Sequence, residues 1–276
     1  MELYRRFKKH SMAMVGVIVL AVLVFVGIFA PFLAPKDPYQ MEFGSTLSAP
    51  SLAHPMGTDH LGRDLLSRVI YGTRVSLLVG LGSVIVAAFV GGLAGLFAGY
   101  FGRFVDIIIM RILDVVWAFP PALLALALVA VWGPSLTTVI FSIGVVSVPQ
   151  YARIVRASVL SVKEKDYILA ARASGISRSS IMFTHVLPNI LAPLIVVATL
   201  GIATSIMIEA ILSFLGLGMQ PPASSWGLMI SEGQKYLRTF PYYSLFPGLM
   251  IMITVFAFNA FGDGLRDAWD PKLKTQ

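Results

Sequence analysis

Few residues in this 276-residue chain are arranged to do covalent chemistry. His54 and His60 flank a Gly-Thr-Asp turn, and two nearby imidazoles invite a metal reading. Nickel- or zinc-type centres need a cluster of three or four ligands, whereas this chain has four scattered histidines and no cysteine, so no metal site is expected. Asp263, Asp267 and Asp270 lack calcium-loop spacing. With Arg266 interleaved, they read as a solvated helix end. Glu209 is the one carboxylate deep in a long apolar run, which makes it a functional candidate. The alternative is a neutral or hydrogen-bonded side chain near the outer end of its span. No GxxxxGK[ST] phosphate loop occurs, and no nucleophile–base or paired-carboxylate arrangement is legible. The chain is therefore not expected to be an enzyme.

The densest polar cluster is YILAARASGISRSSIMFTHVLPN, residues 167–189, lying between two apolar segments. Residues 164–174 are good helix formers without a breaker. Gly175 then sits where a glycine ends a helix in a left-handed turn. Ser177 is placed to cap a second short helix through about Val186, and Pro188 favours a break before the next apolar run. Such a hairpin offers Ile168, Leu169, Ile181, Met182 and Phe183 beside cationic groups. That is a docking surface, either for the membrane interface or for a protein groove.

The elements that must position this hairpin follow from composition. The chain is 57% hydrophobic and only 13% charged, against about 25% charged for a soluble domain. Its mean hydropathy is +0.82. Lipid must solvate much of it, and in lipid only helices or closed barrels satisfy the backbone. The apolar runs are continuous and about 20 residues or longer, as a helical span requires. The expected fold is all-α and polytopic, with six transmembrane helices. They are placed at residues 11–33, 73–100, about 104–132, about 136–151, about 189–214 and about 242–261. Arg111 and Asp114, three apart in the third, are expected to pair along one face.

Six spans put both termini on one side. With the N-terminus inside, fifteen Lys/Arg fall inside: Arg5, Arg6, Lys8, Lys9, Arg103, Arg111, Arg153, Arg156, Lys163, Lys165, Arg172, Arg178, Arg266, Lys272 and Lys274. Six fall outside: Lys36, Arg63, Arg68, Arg74, Lys235 and Arg238. This is the positive-inside bias, and it places the 163–187 hairpin in the cytoplasm. In such a chain the net charge of +7 reflects topology, and no nucleic-acid partner is expected. The resulting division is 1–10 cytoplasmic, 11–72 first span and extracytoplasmic segment, 73–262 a five-span core, and 263–276 cytoplasmic. Within the outer segment, LGRDLLSRVIYGTR reads as an interfacial amphipathic helix, open to contact with a substrate-binding protein.

Ser83, Ala87, Gly91, Gly95 and Gly99 recur every fourth residue, so one helix face is small enough for close backbone approach. Packing within the chain or a contact with a second subunit would both use it. Pro120, Pro121, Pro149, Pro193 and Pro247 lie in or beside spans, where each removes a donor and can kink its helix.

The pattern AA-x3-G-x11-LP at Ala170, Ala171, Gly175, Leu187 and Pro188 resembles the "EAA" loop of bacterial ABC importer permeases. Leu169 stands where that family has glutamate, and His185 where isoleucine is usual. HPMGTDHLGRDLLSRVIYGTRVSL (54–77), ILSFLGLGMQPPASSWG (211–227) and FNAFGDGLRDAWDPK (258–272) resemble the peptide/nickel branch, specifically its C-type permease. The resemblance covers nearly the whole chain. It implies a type I importer permease fold in the bacterial cytoplasmic membrane. It also implies a second homologous permease, an extracytoplasmic substrate-binding protein and two ATPase subunits that bind ATP and Mg, with no cofactor on this chain. In that family the hairpin enters a cleft of the ATPase. The coupling residues implied here are Asp166, Tyr167, Ala170, Ala171, Arg172, Gly175, Ile176, Ser177, His185 and Pro188. Glu209, Met207 and Asn259 are the candidates for lining the translocation path. Di- or oligopeptides are the implied substrate, with nickel or a metal chelate as the alternative within the family and a secondary transporter as the alternative outside it.

Overall fold

The computed structural model describes Phe7 and residues 10–269, and among these the chain is helical without named strands. Arg5, Arg6, Lys8, Lys9, Asp270, Lys272 and Lys274, used above for topology, lie outside the described residues. Helices α1 (Ser11–Ile28) and α2 (Ala30–Leu33) are followed by a long non-helical segment. Then come α3 (Leu65–Phe101), α4 (Arg103–Trp117), α5 (Pro121–Trp132), α6 (Leu136–Lys163) and α7 (Asp166–Ala173). The chain continues as one helical run, α8 (Arg178–Phe214), then α9 (Trp226–Gly233) and α10 (Tyr242–Trp269). Five helices (α1, α3, α6, α8 and α10) are long and apolar enough to cross a membrane, and counting the bent pair α4/α5 as one span makes six.

The bend is 86°. Pro120 and Pro121 supply no backbone donors, so the helix cannot continue past Trp117 and restarts with Pro121 in its first turn. The third span is therefore broken rather than continuous. Asp114 does not pair with Arg111 as expected: it binds Arg153 of α6 at 2.8 Å. Asp106 forms a fork with Arg156, at 2.5 and 2.6 Å. Both pairs tie α4 to α6, because the partner helix presents a planar guanidinium within reach, while Arg111 is exposed.

The small-residue face of α3 is filled from within the chain. A side chain at Gly91 would meet the Val148 carbonyl at 2.6 Å, one at Gly95 the Ala152 carbonyl, and one at Gly99 the Arg156 carbonyl at 3.0 Å. The contacts advance by about four residues on both helices, so α3 and α6 run parallel with their backbones nearly touching. Ala87 is likewise fully buried. The outward surface is apolar, with Ile18, Ile85, Phe89, Ile112, Val131 and Met252 all exposed, as lipid-facing helices require.

Two expected boundaries move. The outer 61–74 stretch is no separate interfacial helix. Asp64 caps α3 by accepting from the Ser67 amide at 2.8 Å, and the helix then runs unbroken into the second span. Arg63 and Arg68 are buried at 2% and 0% exposure with Asp64, Ser67 and Thr73, and only Arg74 is exposed, so the stretch lacks a continuous solvated polar face. At Pro188 the expected break is absent. A π-helical turn over Ile181–Val186 precedes it, and the Asn189 side-chain amide donates to the His185 carbonyl at 2.7 Å. The widened turn shifts the pairing to i→i−5 ahead of the proline, with the Leu187 amide donating to the Met182 carbonyl, and α8 stays continuous.

Candidate functional site

The hairpin forms as its local sequence dictates. After α7, Gly175 adopts φ +78°, and the Gly175 and Ile176 amides donate back to the Arg172 and Ala171 carbonyls at 3.1 and 3.3 Å. Ser177 accepts from the Ser180 amide at 3.3 Å and starts α8.

Packing then divides its residues into two sets. Ile168, Ile181, Met182 and Val186 are buried against Leu96 of α3 and Val155, Val159 and Val162 of α6. These are part of the protein's own core, and the expectation that Ile168, Ile181 and Met182 are offered for docking is corrected. Ala171 is buried with them. Asp166, Tyr167, Leu169, Ala170, Arg172, Gly175, Ile176, Ser177, Phe183 and Pro188 remain exposed. His185 is half-buried and pairs with the Thr184 hydroxyl at 2.7 Å. Two further bonds fasten the hairpin to α3: the Lys163 ammonium donates to the Gly99 carbonyl at 3.0 Å, and the Tyr100 hydroxyl to the Arg178 carbonyl at 2.8 Å. The result is an exposed tip on a foot anchored to two spans.

At the opposite end of α3 lies a buried charge network that sequence reasoning missed. In the turn before α3, Asp59 Oδ1 accepts from the Leu61 and Arg63 amides at 2.8 and 2.9 Å, while Gly62 takes φ +76°. Asp59 Oδ2 accepts from Arg63 Nε at 2.5 Å and Arg68 Nη1 at 2.6 Å. Arg68 Nη1 also reaches Glu232 of α9 at 2.9 Å and the Tyr243 hydroxyl of α10 at 3.0 Å. Tyr243 donates to Glu232 in turn. Burial opposes ionisation of Glu232. The charge of Arg68, hydrogen bonds from Tyr243 and Arg68, and the charge of Arg63 outweigh it and hold the carboxyl below its usual 4.5.

Asp59, His60 and Glu232 bring ligand-type atoms within 4.8 Å of one another. Arg63 and Arg68 already occupy both carboxylates, so a cation would have to enter against two guanidiniums. His54 is likewise engaged, with Nδ1 3.0 Å from Asp64 and Nε2 3.4 Å from Glu42. Only the Asp59–Arg63 part was accessible from sequence, as an i, i+4 pair. Glu232 is 164 residues from Arg68 and carries no local signal.

Glu209 is fully buried where α8 meets α9. Its Oε1 accepts from the Ser213 and Ser225 hydroxyls at 2.8 and 2.9 Å, and Ser225 also caps α9 through the Leu228 amide at 3.2 Å. Met207 faces outward at 49% exposure. Asn259 is exposed beside a cavity of about 500 Å³ shared with Phe256 and Asp263. Met207 and Asn259 thus lie on the exposed surface of this chain, whereas Glu209 does not. Glu209 is enclosed because its two serines come from the packed junction rather than from a water-filled space.

Residues 91–275 match the family described as "Binding-protein-dependent transport system inner membrane component". The chain belongs to this family. Residues 2–51 additionally match the N-terminal TM domain of oligopeptide transport permease C. A dipeptide transport system permease protein of Alkalihalophilus pseudofirmus is 45% identical, covering 99% of this chain and 90% of the relative. A di/tripeptide permease of Pseudomonas aeruginosa is 43% identical over 99% and 92%, and a glutathione permease of Pectobacterium atrosepticum 42% over 99% and 91%. An inward-facing structure of the MetNI methionine ABC transporter shares the fold, with a TM-score of 0.56 at 21% identity over 75% of this chain and 97% of that one. The chain is thus a multi-pass permease component with the all-α fold of ABC importers, and its relatives are transport permeases, not enzymes.

Proposed function

We propose that this permease forms one half of the translocation path of an ATP-driven importer of di- or oligopeptides in the bacterial cytoplasmic membrane. A homologous permease forms the other half. An extracytoplasmic binding protein delivers the peptide, and two cytoplasmic ATPase subunits bind ATP and Mg and supply the work. The observation that carries this reading is the 45% identity to a dipeptide permease along 99% of the chain. The positive-inside bias favours cytoplasmic termini and a cytoplasmic hairpin.

The geometry supports a role in transmission. The foot is packed on α3 and α6 through Leu96, Val155 and Val159, so a pull on the exposed tip moves both spans with it. From the tip, α8 runs 37 residues, about 55 Å at 1.5 Å per residue, to the Glu209–Ser213–Ser225 junction with α9. ATP binding elsewhere then biases two arrangements of one rigid body.

The test is reconstitution of this chain with its second permease, ATPases and binding protein in proteoliposomes. ATP-dependent uptake of short peptides is expected. Uptake of nickel but not peptide would reassign the substrate, and uptake by this chain alone without ATP would overturn the reading. Gly175→Pro probes the hairpin. Gly175 is exposed at φ +78° with open space around it, so the substitution forbids the turn without a clash in the core. Loss of coupled uptake and of stimulated ATPase activity is expected, with the protein still in the membrane. Ala171, being buried, would report on packing instead.

A further inference from the structure

The exposed hairpin leaves two arginines without partners. Arg172 ends α7 and Arg178 begins α8, and among the described residues neither side chain has an ion pair or hydrogen bond. Both border a cavity of about 400 Å³ closed by Tyr100 and Phe101 of α3 and by Ile176 and Ile181, with no carboxylate in its lining. We infer that this cavity receives a carboxylate side chain, Asp or Glu, from the ATPase subunit, held between the two guanidiniums. The inference rests on the proposed ATPase docking and adds the chemistry of the partner's side of it.

Guanidinium groups are suited to planar, two-point recognition of a carboxylate, and a charge-assisted pair gains where aromatic and aliphatic walls exclude water. The same hairpin exposes apolar side chains: Ile176 at the cavity is 39% accessible, and Tyr167, Leu169 and Phe183 elsewhere on it are 42%, 51% and 48%. Charged groups beside exposed apolar side chains are what a protein partner desolvates on docking.

A phospholipid phosphate is the other anion at hand, and depth argues against it. We take the pairs Arg153–Asp114 and Arg156–Asp106, where charged side chains first recur along α4 and α6, as the cytoplasmic edge of the hydrocarbon. Lys163 lies two turns beyond Arg156, about 10 Å at 1.5 Å per residue. It contacts Gly99, the neighbour of Tyr100 at the cavity wall. The headgroup layer is about 5–8 Å thick on each side. The cavity therefore lies past it, at the level of a docked protein.

The experiment uses the complete importer in nanodiscs of neutral phospholipid, reading ATPase-subunit retention against salt. Wild-type complex is expected to release its ATPase as salt rises. R172Q/R178Q is expected to bind it about tenfold more weakly or worse, with a flatter salt dependence, while R172K/R178K falls between. Retention of the second permease and an unchanged melting temperature would show that the Gln variant is folded. If it is not folded, the wild-type salt titration and a photo-crosslinker at Ile176 decide. Mass spectrometry is expected to find the crosslink beside an ATPase Asp or Glu whose replacement by Lys weakens the wild-type complex and restores R172E. Unchanged affinity and salt dependence in R172Q/R178Q would overturn the inference, as would salt-insensitive wild-type retention or a crosslink to a segment free of acids. So would an effect of the substitutions seen only when anionic lipid is added. A wild-type complex holding no ATPase at all would instead overturn the proposed function.

Discussion

The two ends of α3 handle arginine in opposite ways. At one end Arg63 and Arg68 are buried and surrounded by Asp59, Glu232 and Tyr243 from three separate parts of the chain. At the other, Arg172 and Arg178 stand beside a cavity whose lining holds no acid. A buried charge must be paired inside the chain or it destabilises the fold. An exposed one stays solvated at little cost and is free to pair when a partner excludes the water. The first arrangement fixes α9 and the start of α10 onto α3. The second leaves the hairpin tip complete in shape but unfinished in charge.

Breaking this contrast should give the largest effect at Arg68. Arg68→Ala leaves Asp59 and Glu232 to share Arg63 alone, 3.4 Å from Glu232, in a buried network, and about 3–5 kcal/mol of stability should be lost. Arg178→Ala should cost under about 0.5 kcal/mol, as a surface change does. Thermal unfolding of both variants in one detergent compares them directly, and equal losses would erase the distinction.

Next in size is Gly95→Val, which forces a side chain into Val155 and the Ala152 backbone. Parting α3 from α6 should cost about 1–3 kcal/mol or more and loosen the hairpin foot, read as increased protease cleavage near residues 166–180.

A smaller effect follows from acid. Because Glu232 sits below its usual 4.5 in the folded protein, its contribution is fully present above about pH 4.5 and is lost as pH falls through the lowered folded value. Glu232→Gln should flatten the stability–pH profile below 4.5 while leaving the slope above pH 6 unchanged. A small effect, read by the same thermal unfolding, is also expected at Glu209→Gln. The amide keeps a carbonyl oxygen for Ser213 and Ser225, so stability should change by under about 1 kcal/mol. Glu209→Ala strands two buried hydroxyls and should cost about 1–3 kcal/mol.

What the sequence revealed follows the range of each interaction. The Gly175 turn and the Ser177 cap were legible because each is decided within about four residues. The number of spans and the helical class were legible from continuous apolar runs. The depth of Ile168, Ile181 and Met182 was not, because it depends on α3 and α6 supplying Leu96 and Val155 from distant positions. Arg63 and Arg68 looked like the polar face of an interfacial helix for the same reason: the carboxylate that buries them, Glu232, arrives from 164 residues beyond Arg68. Pro120 and Pro121 announced a disturbance, but its 86° angle is a tertiary outcome. Pro188 announced a break that a π-helical turn absorbed.

Hydrogen exchange on the assembled importer tests the contrast between the two ends most directly. Amides over Asp166–Ser180 should exchange quickly in the permease pair and become protected when the ATPase subunits are added. Those over residues 58–68 and Trp226–Gly233 should be protected equally in both states. Unchanged exchange at the hairpin, or new protection appearing only at the outer network, would contradict the account.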